Sequence, residues 1–180
     1  MFFPKLKILY QAPEVTKYIV NEFDRWLGTL SKMRYDYINP LDFATAAQVD
    51  NAMTLNLFSL CVDEEIFNKE DTTPLLRVKY IVECPFCGEH YKTYYNHQDI
   101  PNEYVQCHDE SCEEFNPYES PHKIVIFFEL LDSPEIPKSK QITIFDKTPA
   151  SPSFSADDLE SIRNEMPEDK TKFVDHLWRR

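Results

Sequence analysis

The chain has 180 residues, about the length of one domain, and 42% of them are hydrophobic, which is enough to build a core. Only 2 glycines occur against 13 prolines, which excludes the glycine-rich loops that cradle phosphate, so we expect no nucleotide cofactor. The formal net charge of -12 predicts that any DNA contact is weak or made through a partner, because phosphate binding needs clustered cations. No run approaches the ~18 apolar residues of a membrane span, and no apolar leader is visible at the N-terminus. We therefore expect a cytoplasmic protein without membrane contact.

The first third of the chain has helical patterning. Apolar residues recur at helical spacing over residues 14–34, which predicts one amphipathic helix. After the turn at Asn39-Pro40, residues 41–67 predict two shorter helices. The turn between these two contains Asp50, which can cap the second helix. Cys61 lies in the apolar part of that second helix, so we interpret it as a small core residue.

Two strands are predicted on either side of a cysteine-rich segment. Apolar side chains occupy every second position from Leu76 to Val82, and the largely apolar residues 123–131 return after the last cysteine. Paired with each other, these strands would form a two-stranded wing behind the helices. The arrangement accounts for residues 14–131 without a long structureless loop.

Four cysteines have the spacing of a metal site. Two residues separate Cys84 from Cys87, 19 residues follow, and four residues separate Cys107 from Cys112. Tetrahedral zinc takes four soft ligands from two such turns, and Gly88 supplies the residue that a knuckle turn needs after its second ligand. Four thiolates would close the coordination shell, so we predict one structural Zn²⁺ and no catalytic residue.

Alternatives to four thiolate ligands remain open. His108 or His97 could replace one cysteine, and the cysteines could instead form disulfides or stay free. None of the five histidines belongs to a recognisable nucleophile and base pair.

The C-terminal part begins with a proline-rich linker. Residues 132–154 contain a short strand-like run at 141–145. Ser155 can then cap a helix with Asp158 at its third position. A last helix carries a short apolar stripe, which either anchors the chain to a partner or packs on its own core. The stripe consists of Phe173, Val174, Leu177 and Trp178.

The order of these motifs resembles a known family pattern. The run Leu41-Asp42-Phe43-Ala44-Thr45-Ala46-Ala47, then residues 52–67, 78–87 and 104–107, resembles bacterial winged-helix proteins whose wing leads into a zinc ribbon. It is also similar to the winged-helix and zinc-ribbon part of the alpha subunit of general transcription factor IIE. The second knuckle departs from the pattern with four spacer residues, and the second helix is unusually acidic. The resemblance implies an assembly module rather than an enzyme.

The predicted fold is therefore α+β, a winged helix-turn-helix with a four-cysteine zinc ribbon at the wing and a C-terminal helical tail. The predicted segments are the winged-helix region 1–83, the ribbon and return strand 84–131, the linker 132–154 and the helical segment 155–180.

The sequence features allow three functions for this protein. The favoured one is a non-catalytic accessory subunit or adaptor that binds protein partners, for example in a bacterial defence or transcription assembly. The second is a DNA-binding regulator in which residues 51–62 enter the major groove and the wing cations Arg77, Lys79 and Lys123 contact phosphate. The third is a zinc hydrolase or nuclease. The ribbon segment 84–131 holds 9 acidic and 2 basic side chains, which disfavours phosphate contact there.

Overall fold

The computed structural model describes residues 1–68, 73–135 and 152–178. Within these residues the chain forms α-helices and a three-stranded antiparallel sheet, so the predicted α+β class is confirmed. The helices are α1 Lys17–Thr29, α2 Pro40–Ala47, α3 Asn51–Val62, α4 Glu64–Asn68, α5 Ala156–Glu165 and α6 Lys172–Leu177, and the strands are β1 Leu76–Glu83, β2 His90–Tyr94 and β3 Ile124–Leu130.

The sheet has the order β2-β1-β3, with β1 in the centre. Tyr80 on β1 pairs with Tyr94 on β2 and with Ile126 on β3. The predicted pairing of the strand before the cysteines with the strand after them is thus confirmed. The outer edge of β3 is partly covered, because Ile38 and Ser155 form isolated bridges with it. Among the described helices, none has the length and apolar character that a bilayer crossing requires.

Helix α3 lies at the centre of the molecule. Asp50 caps it by accepting a hydrogen bond from the Met53 backbone N–H at 2.8 Å, as its position in the sequence indicates. Every side chain from residue 54 to residue 61 is buried, including the polar Thr54, Asn56 and Ser59. A helix that reads DNA must present one face to the groove. In this conformation residues 54–61 have no exposed face, whereas the expectation that residues 51–62 enter the major groove requires one.

The C-terminal stripe is also in the core. Val174, Leu177 and Trp178 are all at most 2% exposed, and α6 packs against α3. In this conformation these three side chains are therefore buried within the chain's own fold. They contribute to the fold, as the alternative interpretation expected, because burying their apolar area stabilises it. The backbone of Phe173 lies in α6, but its side chain is outside the described part, as are the strand-like residues 141–145.

The N-terminal residues add an element that the patterning does not indicate. Residues Pro4–Gln11 form a 3₁₀ helix that packs against α1. Its start is held by the buried Asp24 on α1, whose carboxylate accepts hydrogen bonds from the backbone N–H groups of Phe2 and Phe3 at 2.7 to 2.9 Å. One continuous cluster of buried side chains extends from Phe3 to Trp178.

Candidate metal centre

The first cysteine pair lies on the turn between β1 and β2. Cys84 follows the last residue of β1, and its backbone N–H donates to the Glu89 carbonyl at 2.9 Å. The Gly88 N–H donates back to the Cys84 carbonyl at 2.9 Å, and Gly88 has a φ of 75°, in the left-handed region. Glycine adopts that conformation without the steric cost that a Cβ imposes. The sequence therefore folds locally into a knuckle that brings Cys84 and Cys87 to one side of the hairpin.

The second cysteine pair lies on a longer loop whose ends are joined. Val105 and Phe115 exchange two backbone hydrogen bonds, of 2.8 and 3.0 Å. Inside this loop the Asp109 carboxylate accepts from the Ser111 N–H at 2.9 Å, and the Asp109 N–H approaches Cys107 Sγ at 3.4 Å. These contacts shape the four-residue spacer into a turn that returns to Cys112.

The four sulfur atoms converge in one place. The Sγ atoms of Cys84, Cys87, Cys107 and Cys112 all lie within 4.8 Å of one another. Cys87 Sγ and Cys107 Sγ are 3.8 Å apart. Four sulfurs at ~2.3 Å from a central zinc form a tetrahedron with an edge of about 3.8 Å. The cluster therefore has the size needed to hold one tetrahedral metal ion.

The two histidines considered as replacement ligands are engaged elsewhere. His108 Nε2 lies 2.9 Å from the Tyr91 carbonyl oxygen, and its ring stacks on the Tyr91 ring. The His97 ring packs against the rings of Tyr80 and Trp178, with centroid distances of 6.3 and 6.0 Å. Among the described residues the metal-ligand group contains cysteines alone. None of the five cysteines forms a disulfide in this structure.

The thiols of the centre differ in acidity before a metal binds. Burial raises the pKa of Cys84, but hydrogen bonds from the backbones of Cys87 and Phe86 and from neighbouring thiols outweigh it and lower its pKa to about 7. Burial and hydrogen bonds to the other three thiols raise the pKa of Cys112 to about 12. Four negative charges so close together repel one another. A divalent cation at their centre would offset that repulsion.

Cys61 does not belong to this centre. It is fully buried on α3, where burial raises the pKa of its thiol, and its carbonyl accepts a hydrogen bond from the Leu75 N–H at 3.1 Å. A buried thiol with a raised pKa is unreactive. The prediction that Cys61 is a core residue is confirmed.

The residue that the sequence analysis missed at this site is Asp109. Its carboxylate and backbone shape the second knuckle, and the Cys112 N–H donates to its carbonyl at 3.1 Å. The signal was present in the order Asp109-Glu110-Ser111, because aspartate commonly accepts from the N–H two residues later in a turn.

No family model, no curated protein and no solved structure matches the chain.

Proposed function

We propose that the chain is a non-catalytic, zinc-containing adaptor or accessory subunit of a larger protein complex. The observation that carries the proposal is the convergence of four cysteine sulfurs within 4.8 Å. Four thiolates fill all the positions of tetrahedral zinc and leave none for water or substrate. A metal held in this way stabilises a small module rather than performing hydrolysis, which disfavours the hydrolase or nuclease alternative.

The surroundings of the centre support a binding role toward protein rather than nucleic acid. Eight carboxylates between Glu89 and Glu119 are all exposed, and zinc with four thiolates would add a formal charge of about -2. Nucleic acid is repelled by a surface of this sign.

The three cations assigned to the wing are also already engaged. Arg77 pairs with Glu129 at 2.7 Å, Lys123 pairs with Glu83 at 3.6 Å, and the Lys79 ammonium lies 4.3 Å from the centre of the Tyr37 ring. A winged-helix origin is compatible with helices α1, α2 and α3 and the antiparallel sheet that follows the short helix α4, but the burial of α3 weighs against its use on DNA. We expect only weak binding of the isolated chain to duplex DNA, with a dissociation constant of about 10⁻⁴ M or poorer at physiological salt.

Metal analysis of the purified chain tests the first half of the proposal. We expect about one zinc per chain, and we expect Cys112→Ser to lose metal and thermal stability together. His108→Ala is the matched control, since it removes a neighbouring side chain outside the cluster and should retain the metal. Absence of zinc, or loss of the metal in His108→Ala with retention in Cys112→Ser, would contradict the assigned ligands.

Affinity purification from the native source, followed by mass spectrometry, tests the second half. We expect one or a few proteins to co-purify with the full chain in stoichiometric amount. A chain that co-purifies with nothing, or that binds a duplex sequence-specifically with nanomolar affinity, would overturn the adaptor role.

A further inference from the structure

A groove of about 600 Å³ lies at the end of the sheet that is far from the metal centre. It is formed at the start of β1, whereas Cys84 follows the end of the same strand, so the two sites are separated by about 25 Å of extended chain. The opposite wall comes from the end of α3, the start of α4, and α6. The volume is within the ~300 to 1,000 Å³ typical of ligand pockets.

The groove is apolar along its base and partly along its rim. Val62, Leu76 and Leu177 contribute buried or half-buried apolar side chains. At the rim, Tyr95 is 47% exposed and Leu131 is 42% exposed, so two of the large exposed hydrophobic side chains border the same opening. Large apolar side chains that are exposed next to a concave surface are typical of binding sites.

The charge at the opening is negative. Asp63, Glu64 and Glu65 line it from the start of α4. Of the basic side chains at the groove, Arg77 is already occupied, because it pairs with Glu129 at 2.7 Å and lies 4.3 Å from the centre of the Tyr95 ring. The other is the exposed His176 on α6. Within residues 1–68, 73–135 and 152–178, no basic side chain forms an ion pair with the three carboxylates.

We propose that this groove binds a short segment of a partner protein in which one large apolar side chain is flanked by lysine or arginine. The apolar side chain would enter between Leu131 and Tyr95 at the rim and fill the apolar base. Its flanking cations would lie against Asp63, Glu64 and Glu65. Complementary charge of this kind orients a partner and excludes segments of the wrong sign. Phosphate-bearing ligands are disfavoured by the same carboxylates. The inference rests on the proposed adaptor function and names the chemistry of the partner.

Selection of peptides on the zinc-loaded full chain tests the groove directly. The probe is a displayed library of random dodecapeptides, followed by fluorescence anisotropy with the enriched sequences. We expect enrichment of an aromatic or aliphatic residue flanked by lysine or arginine. Replacing that apolar residue by alanine should weaken binding about tenfold or more, and binding should also weaken as salt screens the charges. Spermine, a polycation without an apolar side chain, should not compete at the same concentration.

Two variants of the chain locate the binding. Leu131→Gln replaces an exposed apolar rim residue by a neutral polar one, and the double variant Glu64→Lys with Glu65→Lys reverses the charge of the rim; each should weaken peptide binding about tenfold or more. The matched controls are Met33→Gln, at an 88% exposed apolar residue outside the groove, and Glu113→Lys with Glu114→Lys on the ribbon. The controls should bind as the parent does. Zinc content and melting temperature show that each variant is folded.

The proposal is overturned if no peptide is enriched, if the enriched peptides are acidic, or if both groove variants bind as the parent does. The results also distinguish failure of the groove proposal from failure of the proposed adaptor function. If the parent chain co-purifies with a partner and the groove variants co-purify with it equally, the adaptor function stands and the groove is not its docking site. If the selected peptides bind through the groove but no partner co-purifies, the groove stands and the adaptor function fails.

Discussion

At the scale of single residues, the two cysteine pairs of the candidate metal centre are brought together in different ways. The first pair is positioned by its own short turn, and the second by contacts with residues outside its turn. Cys84 and Cys87 come together through a turn of a few residues, so their spacing alone was enough to predict them. The second pair is brought to the first by the Val105 and Phe115 bridge, which spacing does not specify. The sequence could therefore predict which four cysteines come together, but not that His108 is held on Tyr91 and away from them.

The acidity of the cysteines predicts how metal affinity depends on pH. Zinc binds thiolates, so protons compete with it, and the thiol of Cys112 has a pKa raised to about 12 and must lose its proton on binding. The pKa of Cys84 is lowered to about 7, so protonation of this ligand adds to the competition as pH falls through 7. We expect apparent zinc affinity to fall steadily from pH 8 to pH 6. Titration with a competing chromogenic chelator measures it, and an affinity independent of pH over this range would argue against thiolate ligands.

Replacing Gly88 should destabilise the chain through its backbone conformation alone. Its φ is 75°, yet a Cβ built there would meet no atom within 4 Å. Gly88→Ala should therefore lower the free energy of unfolding by about 1 to 2 kcal/mol, the cost of placing an ordinary residue in the left-handed region. Gly88→Asn should lose less, because asparagine tolerates that region better. Urea denaturation of the zinc-loaded chain measures both changes, and an alanine variant as stable as the parent would show that the turn is not held in this conformation.

At the scale of elements, the main difference between expectation and structure is α3. Its sequence contains the polar residues Thr54, Asn56 and Ser59, and all three are buried, so the helix offers no polar face to solvent over residues 54–61. Ser59 satisfies its hydroxyl locally by donating to the Leu55 carbonyl at 2.7 Å, which allows a polar residue inside the core. Periodicity could predict that the helix forms, but not how many neighbours surround it. The 3₁₀ helix Pro4–Gln11 was missed for the related reason that Asp24, far along the chain, anchors its start.

The cap of α3 gives a measurable prediction at this scale. The Asp50 carboxylate accepts from the Met53 N–H at the exposed start of the helix. Asp50→Ala removes that acceptor and should lower the free energy of unfolding by about 1 kcal/mol. Asp50→Asn keeps a side-chain oxygen in place and is the matched control, with a smaller loss expected. Chemical denaturation compares the two, and equal losses would show that the carboxylate acts through its charge or not at all.

At the scale of the whole molecule, both ends of the chain belong to the same core. The buried cluster contains Phe3 near the N-terminus and Trp178 near the C-terminus, together with residues of the sheet. Trp178 packs against the rings of Tyr80, His97 and Tyr118, and its indole N–H donates to Glu160 at 2.9 Å. The Tyr80 hydroxyl in turn donates to the Leu177 carbonyl. The last helix thus joins the central strand to α5.

These contacts predict that the chain cannot lose its C-terminal segment and stay folded as before. Deletion of residues 168–180 removes Val174, Leu177 and Trp178, each fully or almost fully buried. Burial of one such side chain stabilises a fold by about 1.5 to 3 kcal/mol, and the net stability of a domain is only about 5 to 15 kcal/mol. We expect the truncated chain to melt many degrees lower, or not to fold, by circular dichroism.

Two point variants distinguish the effect of losing the buried Trp178 side chain from the effect of deleting the whole segment. Trp178→Ala should cost about 3 to 5 kcal/mol because it leaves a cavity beside Tyr80, whereas Trp178→Phe keeps an aromatic ring and loses the hydrogen bond to Glu160, with a smaller cost. Each kcal/mol corresponds to about 2 to 4 °C in melting temperature for a chain of this size. In both variants the amount of bound zinc per chain should fall in proportion to the fraction of unfolded chains. A truncated chain with the parent's melting temperature would mean that α6 leaves the core in solution, and its apolar stripe would then again be available to a partner.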